Sequence, residues 1–169
     1  MLVLIGLEKY AAAEQRPRVA EARDAAAKWL AQVPLRDQQD HLWRLWGQHH
    51  LGGDAPATQR TLDAILAEQR ADGGWAETKD RQSDAYSTAQ TLFMLRSTGT
   101  AQDHPSVLRA RDWLLKAQLP DGSWLAESHV KNKAQPFFEN GDPHGEHQFL
   151  STAATAWAVA GLAQMLAAK

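Results

Sequence analysis

Gln69-Arg70-Ala71-Asp72-Gly73-Gly74-Trp75 and Gln118-Leu119-Pro120-Asp121-Gly122-Ser123-Trp124 are two copies of one pattern, Q-x-x-D-G-x-W, set 49 residues apart. A period of this size marks a repeat architecture, in which each unit is too small to bury its own apolar face and stacks on a neighbour. In each copy the Asp-Gly pair makes the turn, because glycine accepts positive φ at little steric cost. The Trp then folds back. Its flat face covers the Gln amide, while the amide satisfies backbone groups at a neighbouring helix end. The pattern therefore reads as a fastener between successive helices.

Outward from these copies the chain reads as all-α, with about seven helices. The first covers Leu2–Glu14. The second opens at Pro17 and runs to Gln32, with Val19, Ala22, Ala26 and Leu30 along it. The third covers Asp37–His50 and stops at Gly52-Gly53. The fourth opens at Pro56 and ends near Gln69. Ser83 is expected to cap a fifth helix over Asp84–Ser97. A sixth opens at His104-Pro105, and a seventh covers Gln148–Ala168. The fourth and sixth are amphipathic, whereas the fifth and seventh are apolar or small nearly all round. Outer amphipathic helices over buried inner ones suit an α/α solenoid or toroid. The repeats divide the chain into 1–53 (degenerate), 54–99 (first motif) and 100–169 (second motif, with a long polar loop over 128–147).

The 169 residues suit one domain, and 44% hydrophobic with 22% charged residues is an ordinary soluble composition. A formal charge of −2 and no basic patch argue against nucleic acid. The absence of cysteine removes disulfides, thiol catalysis and thiolate metal sites. The apolar opening MLVLIGL is short, lacks a basic stretch before it, and does not read as a signal peptide. Phe149–Ala168 is long enough to span a membrane but is rich in Ala and Thr, so a buried core helix is expected.

The run Arg109-Ala110-x-x-Trp113-Leu114-Leu115-x-x-Gln118-x-x-x-Gly122-x-Trp124 resembles the QW repeat of squalene–hopene and oxidosqualene cyclases. The earlier copy, Arg60-Thr61-x-x-Ala64-Ile65-Leu66-x-x-Gln69-x-x-x-Gly73-x-Trp75, departs from it at Ala64, where that family has an aromatic residue. A third copy at Arg23–Pro34 is degenerate, with Pro34 in place of Gln. The resemblance implies an α/α toroid, a fold that class II diterpene cyclases, protein prenyltransferase β-subunits and complement thioester domains share. It also implies about twelve helices in a closed ring. Seven helices, or about 3.4 repeats, make only a partial, open toroid or arc. The expectation is a fragment or arc completed by a second copy or another subunit.

The acid that the resemblance leads one to seek, the middle Asp of a D-x-D-D motif, is not in this chain. Neither are a D-D-x-x-D pattern for Mg²⁺–diphosphate or a D-C-T-A-E signature. Asp37-x-x-Asp40 reads as a solvated helix face. The densest constellation is Pro136–His147, P-F-F-E-N-G-D-P-H-G-E-H. It packs Glu139, Asp142, His144, Glu146 and His147 into nine residues, with Glu139, Asp142 and His144 as candidates for acid–base work and Glu139, His144 and His147 for Zn²⁺ or Fe²⁺ ligands. The spacing matches no defined metal motif, so the plainer expectation is a polar loop capping the seventh helix, and no cofactor is expected. Phe137, Phe138 and Phe149 flank it as a lid over an apolar cavity in the alternative reading. Asp84 and Tyr86, at an inner-helix start, are weaker catalytic candidates. Gln69, Gly73, Trp75, Gln118, Gly122 and Trp124 are expected to be structural.

The function expected is a non-catalytic, isoprenoid-binding or scaffold module with no enzyme activity of its own. One alternative is part of a triterpene-cyclase-type enzyme whose acid lies outside the chain. Another is a metal- or carbohydrate-active α/α-barrel protein using Glu139–His147. A homo-oligomer or another subunit is the expected partner, with an isoprenoid or lipid as ligand. Nucleic acid and integral membrane placement are not expected, and the sequence assigns no compartment, leaving cytoplasmic or, through a partner, membrane-peripheral placement open.

Overall fold

In the computed structural model, residues 2–129 and 138–166 are described. Pro136 and Phe137 of the expected loop lie outside them. Among the described residues the regular structure is helical: α1 (Leu2–Tyr10), α2 (Arg16–Gln32), α3 (Gln38–Leu51), α4 (Ala55–Ala67), α5 (Ala85–Ser97), α6 (Pro105–Ala117) and α7 (Gln148–Leu166). The chain divides into two compact units, Met1–Ala67 and Glu68–Lys169.

In the first unit, α2 packs on α1 and α3, and α3 on α4. Its core gathers Leu30, Leu42, Leu45, Trp46 and Ile65. The first helix stops at Tyr10 instead of Glu14, and a 3-10 turn over Ala13–Gln15 leads into α2. Asp37 caps α3 by accepting the Asp40 N–H at 2.9 Å, and Asp40 Oδ2 accepts the Arg36 N–H at 2.9 Å. These carboxylates thus make the helix entry, a more specific task than the solvated face expected of them. Gly52, at φ 71°, closes α3 in the left-handed conformation that suits a glycine C-cap.

In the second unit, α5 is the central helix, packed on α6 and most extensively on α7. Ala85, Ala89, Leu92, Met94 and Leu95 are almost wholly buried. Gly161 allows the close approach: a Cβ there would stand 3.3 Å from the Phe93 backbone nitrogen. The cap of α5 is Asp84, which accepts the Ser87 N–H at 2.8 Å, and not Ser83. Ser83 is diverted because its hydroxyl donates to Asp72 Oδ1 at 2.9 Å.

The last helix departs from the expectation of burial all round. Gln148, Ser151, Ala154, Ala158, Gly161 and Met165 form its buried stripe. Phe149, Thr152, Ala156, Val159, Ala163 and Leu166 form an exposed stripe at alternating spacings of three and four. Phe149 and Val159 are each 57% exposed and Leu166 84%. Among the described residues, Gly145–Leu166 is also the one helical stretch long and apolar enough by composition to cross a membrane.

Candidate functional site

The two Q-x-x-D-G-x-W segments fold alike. Each leaves a helix at the Gln and turns at a glycine of positive φ, 94° for Gly73 and 85° for Gly122. In each the Asp accepts a backbone N–H two residues on, Asp72 from Gly74 and Asp121 from Ser123, both at 3.0 Å. This Asx turn is the reason for Asp before Gly. The Gln amide closes the loop by donating to the glycine carbonyl, at 2.8 Å for Gln69 to Gly73 and 3.0 Å for Gln118 to Gly122.

The Trp residues then enter the core. Trp75 is fully buried and Trp124 is 2% exposed. Both backbone N–H groups are met by a threonine on an inner helix. Trp75 donates to Thr88 Oγ1 at 2.9 Å and Trp124 to Thr155 Oγ1 at 3.0 Å. The Trp124 indole also donates to the Leu114 carbonyl near the end of α6 at 2.7 Å, satisfying one of that helix's orphan acceptors. Threonines in inner helices are therefore part of the motif, although they lie 13 and 31 residues beyond it. The signal available in the sequence is the pair of Ser/Thr-rich inner helices that follow the motifs.

A further relationship joins the copies. Gln69 Nε2 also donates to the Ser106 carbonyl at 2.9 Å in the first turn of α6. The Arg109 guanidinium donates to Gln69 Oε1, and the Trp113 indole donates to Asp72 Oδ2 at 3.2 Å. The arginine and aromatic positions of the second copy therefore grip the glutamine and aspartate of the first. Burial works to raise the Asp72 carboxyl. The Gly74 N–H, the Ser83 hydroxyl and the Trp113 indole outweigh it and, with Arg70, hold the group below the usual carboxylate range. Asp121 is lowered chiefly by the Ser123 hydroxyl and then by the Ser123 N–H. Among the described residues, Gln118 bonds only within its own turn, so the expected reach to a neighbouring helix end occurs in the first copy alone.

The candidate acids and bases hold backbone and hydroxyl groups. Asp84 spends one oxygen on the Ser87 N–H and the other on the Ser87 hydroxyl, both at 2.8 Å. Tyr86 is half-buried in the first turn of α5. Glu139 is exposed and accepts the Gly141 N–H at 2.7 Å. Asp142 Oδ2 accepts from Asn140 Nδ2 at 3.1 Å and from the Thr152 hydroxyl at 3.3 Å. His144, at φ 82°, places Nε2 2.8 Å from Ser123 Oγ, tying the loop to the second motif. His147 Nδ1 accepts the Ser128 N–H at 3.1 Å. Glu139, His144 and His147 thus face different partners, and no three His, Asp or Glu side chains converge among the described residues.

A residue missed as a loop anchor is Gln148. Fully buried, it accepts the Asn140 N–H at 3.1 Å and donates to the Phe138 carbonyl at 2.8 Å. Phe138 is 75% exposed, so its ring covers no cavity of this chain in the described structure.

Comparison with known proteins agrees with the repeat. Residues 23–169 match the Squalene-hopene cyclase C-terminal domain family. A copalyl diphosphate synthase from Streptomyces cyslabdanicus is 36% identical over 107 residues, which are 62% of this chain and 17% of that protein. The chain thus aligns with about a sixth of that relative's length. The family match covers most of the chain, including both fasteners, the helices they join and the loop that anchors α7. The protein belongs to the squalene-hopene cyclase C-terminal domain family.

Proposed function

We propose that this chain is a non-catalytic helical module of a terpenoid-cyclase-type assembly, and that it joins other helices to enclose an isoprenoid. The observation that carries this reading is the exposed stripe of α7, from Phe149 through Val159 to Leu166. An apolar stripe at alternating three- and four-residue spacing is the seam by which one helix packs on another. A contiguous exposed apolar surface of this kind marks an interaction site. The partner is a second copy or another helical subunit.

The carboxylates support the non-catalytic part. A cyclase acid must carry a proton and present it to substrate. Asp72 and Asp121 are instead shifted toward the charged form, and Asp84 caps a helix with both oxygens. Native mass measurement, with organic extraction of the purified protein, tests the reading. An assembly larger than one chain that carries an isoprenoid, and that Val159→Glu dissociates, agrees with it. A lipid-free monomer contradicts it.

The copalyl diphosphate synthase match favours a second reading, in which the chain forms part of a terpenoid cyclase whose acid lies outside these 169 residues. Turnover of a prenyl diphosphate by a larger complex containing the chain, but not by the chain alone, distinguishes it.

A further inference from the structure

The first compact unit contains a groove of about 630 Å³ between α2, α3 and α4. Its wall includes Ala64, where the first copy departs from the aromatic of the repeat. Ala64 stands 49 residues before Trp113 and Arg60 the same distance before Arg109. In the second copy, Trp113 and Arg109 are engaged with Asp72 and Gln69. In the first, Ala64 contributes only a methyl group to the groove wall. Arg60 is exposed beside it, with no hydrogen-bond partner among the described residues.

The lining has two characters. Leu30, Leu35, Leu51 and Ala64 give an apolar wall. Lys28, Arg44 and Arg60 bring three cations to the same groove, Arg44 also donating through Nη2 to the Val33 carbonyl; among the described lining residues the one carboxylate, Asp54, is already accepting the Ala57 N–H at the start of α4. Three lining residues also hold a buried polar atom without a partner among the described residues: His41 Nδ1, Arg44 Nε and Gln48 Oε1. Native interiors rarely leave such atoms unpaired, and a largely apolar pocket with a few convergent polar groups is the common form of a small-molecule site. The volume lies within the usual range for such sites.

We propose that this groove binds a single-chain amphiphilic oxyanion. Its hydrocarbon chain lies against Leu30, Leu35 and Leu51, and its phosphate or carboxylate head is met by Lys28, Arg44 and Arg60. Guanidinium groups suit either head, because they form charge-assisted bonds to paired oxygens. The site stands apart from the isoprenoid reading above, since linear alkyl probes test it without any prenyl compound.

The test is calorimetric titration of the whole chain with decyl phosphate, decanoate and 1-decanol. Both anions are expected to bind at least about tenfold more tightly than the alcohol, and the tighter anion identifies the head group. Ala64→Trp, which restores the side chain of the second copy, is expected to abolish binding of all three. The pair Lys28→Gln and Arg60→Gln, at exposed positions, is expected to weaken both anions and leave decanol unchanged. If Ala64→Trp loses its helical circular dichroism, the charge pair decides alone. Binding of decanol as tight as the anions, anion binding untouched by the charge pair, or no binding of any probe overturns the proposal.

Discussion

The indole N–H of Trp113 and the carboxylate of Asp72, 41 residues apart in the chain, meet at 3.2 Å and bridge the two repeat motifs. Asp72 meanwhile holds its own turn through the Gly74 N–H and the next inner helix through Ser83. One carboxylate thereby joins a turn, the strand-free link into α5, and α6. Trp113→Phe keeps the ring and removes the donor, and should cost about 1 kcal/mol. A double-mutant cycle with Asp72→Ala, read by urea unfolding, should give a coupling of about 0.5–1.5 kcal/mol.

The threonine that accepts each Trp N–H makes a graded prediction. Thr88 is fully buried and Thr155 half-buried. Thr88→Val leaves the Trp75 N–H without its acceptor and should cost about 1–3 kcal/mol. Thr155→Val should cost less, because its bond to Trp124 is nearer solvent. Denaturation midpoints of the two variants check the order.

The motif glycines differ in the same way. Both have positive φ, so alanine is strained at either. A Cβ on Gly73 would also stand 2.9 Å from the Arg109 carbonyl, whereas a Cβ on Gly122 meets nothing within 4 Å. Gly122→Ala should cost about 1 kcal/mol and Gly73→Ala about 2–3 kcal/mol. Equal losses in thermal unfolding would remove the case for close packing of α6 on the first turn.

Acid should weaken the first fastener. Asp72 is held below the usual carboxylate range in the folded chain. Its contribution is therefore present above the unfolded carboxylate value and is lost as pH falls through the folded one. Asp72 lies at the surface, so the effect is modest. The stability gap between the native chain and Asp72→Asn should narrow as pH falls below the ordinary carboxylate value of about 4. A gap that widens toward acid contradicts the assignment.

The helices and their order were legible in the sequence because Pro17, Gly52, Pro56 and Pro105 punctuate them and the apolar positions keep helical spacing. The fasteners were legible because Gln, Asp-Gly and Trp recur at a constant offset. The grip of Arg109 and Trp113 on Gln69 and Asp72 was not, since a helical period gives the face of a residue but not the turn that face meets. The cap of α5 was misplaced by one residue because Ser83 and Asp84 are both good caps, and only the fold shows that Asp72 claims the serine hydroxyl. Burial of α7 was overread, because its small residues look the same whether they face α5 or the open side. The groove at Ala64 was written as a departure from the repeat, but its cations come from α2, α3 and α4 and meet only in space.

The most direct measurement of the central claim is the product profile of the folded 169-residue chain incubated alone with squalene and with a prenyl diphosphate, analysed by gas chromatography and mass spectrometry. A non-catalytic module returns both substrates uncyclised. A cyclised product that Asp84→Asn abolishes while the helical content is retained would contradict that claim.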